Sequence, residues 1–286
     1  MDTTVTTWQE RISVARQIIE ARLDEDVPLD ELARAAHYSP FHFHRLFRAL
    51  TGETVRDYTR RLRLQRAAHH LVHEDRDILR IALDAGYESH EAFTRAFKSR
   101  FDVTPSVFRD ERREVLTQRI IKREDQPMDI RIETREPVYV ASVRHVGPYN
   151  GVGDAWKTLM KWGWAKMIFG KPETFGVCYD DPDVTPAERI RYDACMVVDA
   201  KTKPKGKVEL QHLPGGTYAV TLHEGSYENL SETYAQMFAQ IESGPIDGTS
   251  WKFADPRSLE KYLTDPRKVK PEDLRTEIWV PVTKAG

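Results

Sequence analysis

Two domains of different class are written into this sequence. The first is all-α and holds a double helix-turn-helix; the second is α+β, with two pseudo-symmetric halves on an antiparallel sheet. Three observations predict this. Ile78 to Arg109 reads helix, tight turn, helix, and a weaker copy begins at Leu32, each with a small residue and an aromatic at the turn (Ala36-His37-Tyr38, Ala85-Gly86-Tyr87). Beyond Pro127 the pattern changes to strand-like alternation. Finally, YVASVRHVGPYNGVGDAWKTL from Tyr139 is echoed by YAVTLHEGSYENLSETYAQMF from Tyr218, where His223, Gly225 and Tyr227 match His145, Gly147 and Tyr149.

Taken in order, Trp8, Ile12, Ala15, Ile18, Ile19 and Leu23 follow a helical period. Pro28 opens a helix over Leu29 to Ala36, with Asp30 and Glu31 favourable in its first turn. Ser39 caps the next, in which Phe43, Leu46, Phe47 and Leu50 point inward and Gly52 ends the run. Val55 to Val72 forms a longer helix that spaces the two reading units. Its Arg56, Arg60, Arg61, Arg63 and Arg66 are candidates for phosphate contact. In the second unit a helix starts near Glu88 to Glu91 and keeps Phe93 and Phe97 on one face, and Thr104-Pro105 opens another. Two such units would read neighbouring major-groove segments with centres about 34 Å apart.

The charge run after Arg112 and the break at EDQPMD divide the chain into a first domain over 1–112, a linker over 113–126 and a second domain over 127–286. In the second domain, strands are expected at Ile130, Val138, Phe175 to Cys178, Cys195 to Val198 and Arg275 to Val282, with a helix over Val152 to Trp164. Each repeat reads strand, glycine turn, helix. Both helices then lie on one side of the sheet and leave a groove between the halves.

With 43 Lys and Arg against 45 Asp and Glu, the formal charge is −2, so a uniformly basic coat is excluded and any nucleic-acid surface is local. Cys178 and Cys195 supply neither a disulfide framework nor metal spacing, and MDTTVTTWQERI has no leader pattern. A cytoplasmic protein with no membrane partner is expected. No acyl-transfer signature, phosphate-binding glycine loop or dinucleotide fingerprint occurs. His69 and His73 are four apart on a helix but lack a third ligand, so neither metal nor cofactor is expected. Glu277 stands out because a charge beside Trp279 in a terminal strand is either solvated or costly. If its face lines the groove, it suits an organic cation.

Leu32 to Arg109, and above all GYESHEAFTRAFKSRFDVTPSVFR, resembles the AraC/XylS type of transcription regulator. The resemblance implies base reading by Phe41, His42, His44 and Arg45 of the first unit and by His90, Glu91, Thr94 and Arg95 of the second, with Arg48 and Lys98 alongside. Arg45 and Arg95 are the favoured guanine readers, and Glu91 would prefer cytosine. HVGPY, YDDPDVTPAERIRYDAC, GGTYAVTLHEGSY and EKYLTDPRKVKPEDLRTEIWVPV resemble the GyrI-like effector-binding domain. That likeness implies a buried glutamate in an aromatic pocket, placed at Glu277, with Tyr149, Trp156, Tyr192, Trp251 and Trp279 as its lining. The expected partners are double-stranded DNA bound by a monomer, a small amphipathic or cationic effector, and RNA polymerase. Two alternatives stay open: a GyrI-like hydrolase that opens reactive small molecules through Glu277, and a protein-interaction module.

Overall fold

The computed structural model describes residues 3–121, 128–170, 172–182, 185–255 and 257–285, and the chain divides into two compact units near Arg109. The first is helical, with α1 (Thr3–Ala21), α2 (Leu29–Ala35), α3 (Pro40–Thr51), α4 (Val55–His73), α5 (Ile78–Asp84) and α6 (His90–Phe101), and the division falls within α7 (Pro105–Ile121). The two helix-turn-helix units share one set of punctuation. Ser39 accepts from the His42 amide and Ser89 from the Ala92 amide, satisfying free donors at the starts of α3 and α6. Left-handed residues close the same helices, Gly52 at φ 76° and Asp102 at φ 65°. Thr54 and Thr104 then cap α4 and α7. The inner faces bury Phe43 and Phe47 in one unit and Phe93 and Phe97 in the other. Each such side chain contributes about 1.5–3 kcal/mol.

Helix α7 continues over 113–121, where the charge run suggests a linker, because that stretch holds good helix formers and neither Gly nor Pro. Residues 122–127 lie outside the described residues.

The second unit contains β1 (Arg131–Arg135), β2 (Val138–Val146), α8 (Gly153–Phe169), β3 (Thr174–Cys178), β4 (Arg191–Val198), β5 (Glu209–Leu213), β6 (Gly216–Glu224), α9 (Leu230–Ser243), β7 (Trp251–Phe253), β8 (Ser258–Tyr262) and β9 (Arg275–Lys284). The strand order is β1-β6-β9-β8-β3-β4-β2-β5, and β7 pairs with the end of β9. Each half contributes a strand, a helix and two further strands, and the halves join where β3 pairs antiparallel with β8. The His-x-Gly-x-Tyr repeat is the turn that makes this possible. A carbonyl can only accept, so His145 Nε2 donates to Pro148 O at 3.0 Å and His223 Nε2 to Ser226 O at 3.1 Å. Gly147 and Gly225 supply the positive φ, 141° and 119°, that reverses the chain. Tyr149 and Tyr227 follow at equivalent places.

Strand parity decides what each face does. Register places Cys178, Tyr192, Ser258, Glu260, Tyr262 and Thr276 on one face, where α8 and α9 pack. The other face buries Phe175, Val177, Tyr179, Leu259 and Trp279.

Arg63 of α4 ties the first unit together. Its guanidinium donates to Leu23 O at 2.8 Å and Glu25 O at 2.9 Å and pairs with Asp26 at 2.9 Å. It also passes beneath the second turn, where a Cβ at Gly86 (φ 79°) would come within 2.6 Å of Arg63 Nη1. Arg63→Ala is therefore expected to cost about 2 kcal/mol, since hydrogen bonds from a charged donor are lost. Arg63→Lys should not restore it, because an ammonium lacks the fork. Thermal unfolding of both variants checks this, and an unchanged midpoint would contradict it.

Candidate DNA-reading and effector sites

The outer faces of α3 and α6 carry the candidate readers. Phe41 is 74% exposed, His42, Arg45 and Arg48 are exposed, and His44 is half-buried. Tyr38 lies 5.1 Å from the His42 ring, and the Arg45 guanidinium stands 5.8 Å from the Phe41 ring, so an apolar flank preorganises a cation. On α6, His90, Glu91, Arg95 and Lys98 are exposed and Thr94 is half-buried. Glu91 accepts from its own backbone amide and from Ser89, and these bonds hold its carboxyl below the ordinary range. Its carboxylate thus serves a free donor at its own helix start.

The α4 arginines behave differently from the expectation of a phosphate stripe. Arg61 pairs with Glu53 at 3.0 Å, Arg66 pairs with Asp24, and Arg63 serves the turns described above. Acidic and carbonyl partners from neighbouring segments take these cations, a tertiary effect that the helix pattern does not reveal. Arg56 and Arg60 are exposed.

In the second unit the expectation for Glu277 is not met. It lies on the face away from α8 and α9, pairs with Arg131 at 2.6 Å and receives a hydrogen bond from Trp279 Nε1 at 3.3 Å. That pairing compensates its charge, so neither the counter-ion nor the water-activating role has a basis there. Trp279 packs edge-on against Tyr218, and Trp251 on β7 packs against the cluster of Met237, Ile241 and Val282. Neither joins Tyr149, Trp156 and Tyr192.

Those three surround a different carboxylate, Glu260 of β8, which is 7% exposed. Tyr262 donates to it at 2.6 Å and Tyr234 at 3.3 Å, and the Cys178 thiol bonds it as well. Tyr234 also lies 2.9 Å from Ser258 Oγ. Around this centre Tyr149 meets Tyr192, Trp156 meets Tyr262 and Tyr227 meets Tyr262, all edge to face with centroids 5.6 to 6.1 Å apart. The lining is twofold: Tyr149 and Trp156 of one half correspond to Tyr227 and Tyr234 of the other. Gly176 of β3, paired with Glu260, leaves the space for Tyr192, since a Cβ there would overlap its hydroxyl.

Burial pushes the Glu260 carboxyl up, against hydrogen bonds from Tyr262, Cys178 and Tyr234 that act the other way. Burial likewise lifts the hydroxyls of Tyr149, Tyr192, Tyr234 and Tyr262 well above their ordinary value, which keeps them protonated as donors. The chemistry on offer is a desolvated carboxylate among aromatic faces. Among the described residues, no group of three or more His, Cys, Asp and Glu could hold a metal ion, and no helix is long and apolar enough to cross a membrane.

Glu260, Tyr227, Tyr234 and Tyr262 are absent from the residues expected from the sequence. Two of them carried a signal, since Tyr227 and Tyr234 stand 78 residues after Tyr149 and Trp156. Glu260 and Tyr262 alternate in SLEKY, the pattern of a half-buried strand.

A double helix-turn-helix followed by a pseudo-symmetric domain of the small-molecule binding kind defines a DNA-binding regulator as the class of protein. Residues 128–283, more than half of the chain, match the family of GyrI-like small molecule binding domains, and residues 32–111 match a helix-turn-helix domain family. The Tn10 transposon TetD protein of Escherichia coli is 44% identical over 91 residues, 32% of this chain and 66% of TetD. Regulatory protein SoxS of Escherichia coli (strain K12) is 40% identical over 91 residues, 32% of this chain and 85% of SoxS. The right origin-binding protein of the same strain is 41% identical over 91 residues, covering 32% of each chain. The chain belongs to the AraC/SoxS/Rob family of sequence-specific DNA-binding regulators and carries a GyrI-like small molecule binding domain.

The raised carboxyl of Glu260 sets a stability trend. The unfolded group loses its proton at the ordinary pKa, while the folded one holds it to higher pH, so stability falls as pH rises from the first value to the second. Glu260→Gln is thus expected to raise the melting temperature of the ligand-free protein at pH 7 more than at pH 4. Calorimetry at the two pH values checks it; an equal effect at both would contradict the assignment.

Proposed function

We propose that this regulator senses an amphipathic organic cation at Glu260 and reads DNA as a monomer through α3 and α6. One observation carries the effector reading: a buried carboxylate, bonded by neutral hydroxyls and a thiol, stands among the rings of Tyr149, Trp156, Tyr192, Tyr227, Tyr234 and Tyr262. A buried charge of this kind is costly, and a desolvated cation held by the carboxylate and by ring faces offsets that cost. The rings also exclude water, so the attraction is weakly screened.

On the DNA side, Arg45 and Arg95 are the base readers, since each is exposed on a helix whose inner face is locked by phenylalanines. Arginine spans the two acceptors of guanine in the major groove. His42, His90, Arg48 and Lys98 orient the helices on phosphate, and Phe41 meets the thymine methyl or the sugar edge. RNA polymerase is the proposed protein partner, through which occupancy of the DNA site becomes altered transcription.

Tetraphenylphosphonium is the probe for the effector site. Titration calorimetry is expected to show binding that weakens about tenfold or more in Glu260→Gln and stays unchanged in Glu277→Gln. The reverse order would move the site to the other face of the sheet.

For DNA, selection from random duplexes should yield an asymmetric two-part sequence. On that sequence Arg95→Ala is expected to cost about 1–3 kcal/mol and to relax one base position. Equal loss on all sequences would assign Arg95 to phosphate instead.

A further inference from the structure

One row of hydrogen bonds crosses the effector site from α8 to β8. Trp156 Nε1 stands 2.9 Å from Tyr192 Oη, Tyr192 Oη stands 2.9 Å from Tyr262 Oη, and Tyr262 Oη stands 2.6 Å from Glu260 Oε2. A row of hydroxyls can in principle point either way, because each phenol both donates and accepts. An indole cannot: its N–H only donates. With Trp156 donating at one end, all three protons are spent in a single direction, from Trp156 to Tyr192, from Tyr192 to Tyr262 and from Tyr262 to the carboxylate. Reversal would leave Tyr192 accepting from both sides with its own proton unused, and it would require Glu260 to carry a proton and donate.

We propose that Trp156 is a positioning residue for the effector carboxylate, its indole N–H setting the direction of the Tyr192 and Tyr262 hydroxyls so that both pass their protons toward Glu260. This rests on the reading of Glu260 as the effector carboxylate and adds a part to it. A carboxylate that receives hydrogen bonds is held as an anion; one facing a hydroxyl turned away is more easily protonated. Protonated Glu260 attracts no cation, so the indole tunes effector binding from two residues away.

The construction around the row supports this. Gly176, opposite Glu260 on β3, leaves the hole that Tyr192 fills, where any Cβ would overlap the hydroxyl. The Trp156 ring also packs edge-on against Tyr262 with centroids 5.6 Å apart, fixing the indole relative to the far end of the row. In the other half, the residue equivalent to Trp156 is Tyr234, which reaches Glu260 directly. The two halves thus deliver donors to one carboxylate by a long route and a short one. Several other titratable groups face Glu260. They are Cys178 from β3, His223 from β6, Tyr149 and Tyr227 from the turns and Tyr234 from α9. None of them lies on the row, so a change at Trp156 leaves their hydrogen bonds in place.

The experiment is a pH titration of the full-length protein by infrared difference spectroscopy, following the carbonyl stretch of protonated Glu260, assigned by its loss in Glu260→Gln. Trp156→Phe keeps a ring and removes the N–H; Tyr192→Phe breaks the row one atom later. Both are expected to move the Glu260 midpoint upward by about half a pH unit, the effect of losing the cooperative strengthening of the Tyr262 bond to a charged group. Trp164→Phe alters an indole on the same helix that is 62% exposed and should titrate as the parent does. Circular dichroism identifies any variant that fails to fold, and Tyr192→Phe carries the test if Trp156→Phe does. A folded Trp156→Phe protein with the parent midpoint overturns the proposal, whether or not Tyr192→Phe shifts. If Trp156→Phe misfolds, an unshifted midpoint in folded Tyr192→Phe overturns it. A shift in all three variants, Trp164→Phe included, also overturns it, since the effect would then be general loosening. Tetraphenylphosphonium affinity measured across the same pH range separates the two readings. A midpoint shift without any cation binding would defeat the effector assignment while leaving the directed row intact.

Discussion

A carboxylate closed off from water, with no cation bonded to it among the described residues, is the constraint around which the effector domain is arranged. Isolated ionised carboxylates in apolar surroundings are costly enough that proteins pair them or protonate them. Glu260 instead has the hydroxyls of Tyr262 and Tyr234 and the thiol of Cys178. These donors soften the penalty without cancelling it, and the carboxyl stays above its ordinary value. The aromatic character of the site follows from the same constraint. Phenols and an indole supply donors that carry no charge, and their faces attract the cation that would complete the site. A paired lysine or arginine in the same place would give a more stable domain with nothing left to bind.

The contrast with Glu277 shows how finely this is arranged. Both glutamates belong to neighbouring strands, and Glu277 pairs across the sheet with Lys261, the residue next to Glu260. One carboxylate has Arg131 and is spent; the other faces the helices and is not. Duplication of a strand, turn and helix provides the frame, with the two histidine-braced turns delivering Tyr149 and Tyr227 to equivalent positions. Divergence of the halves then supplies the chemistry, an indole in one and a phenol in the other.

The DNA-reading unit solves a separate problem by repetition of another kind. Two helices must present polar faces to solvent while their orientation stays fixed. Caps at Ser39 and Ser89, left-handed stops at Gly52 and Asp102, and paired phenylalanines inside do this twice. Arginine is abundant on α4, yet Arg61, Arg63 and Arg66 act inside the unit, as staples to the segments around them. The cations exposed toward solvent are those on α3 and α6, together with Arg56 and Arg60 of α4.

The sequence by itself determined the two domain classes, most helix limits, the strand-turn-helix repeat and the faces of α3 and α6, because each of these is local. Caps, glycine turns and the helical period act within a few residues. It also brought Tyr149, Trp156 and Tyr192 into view as residues of interest. Only the tertiary structure decided which glutamate they meet. A strand exposes its residues alternately to two faces, and the sequence of β9 says that Glu277 and Trp279 share a face without saying which face the helices cover. That choice depends on α8 packing against β2 and β4 and on α9 packing against β6, strands far from β9 in the chain. It turns Glu260 toward the helices, leaves Glu277 with Arg131, and converts three of the α4 arginines from apparent phosphate contacts into internal staples.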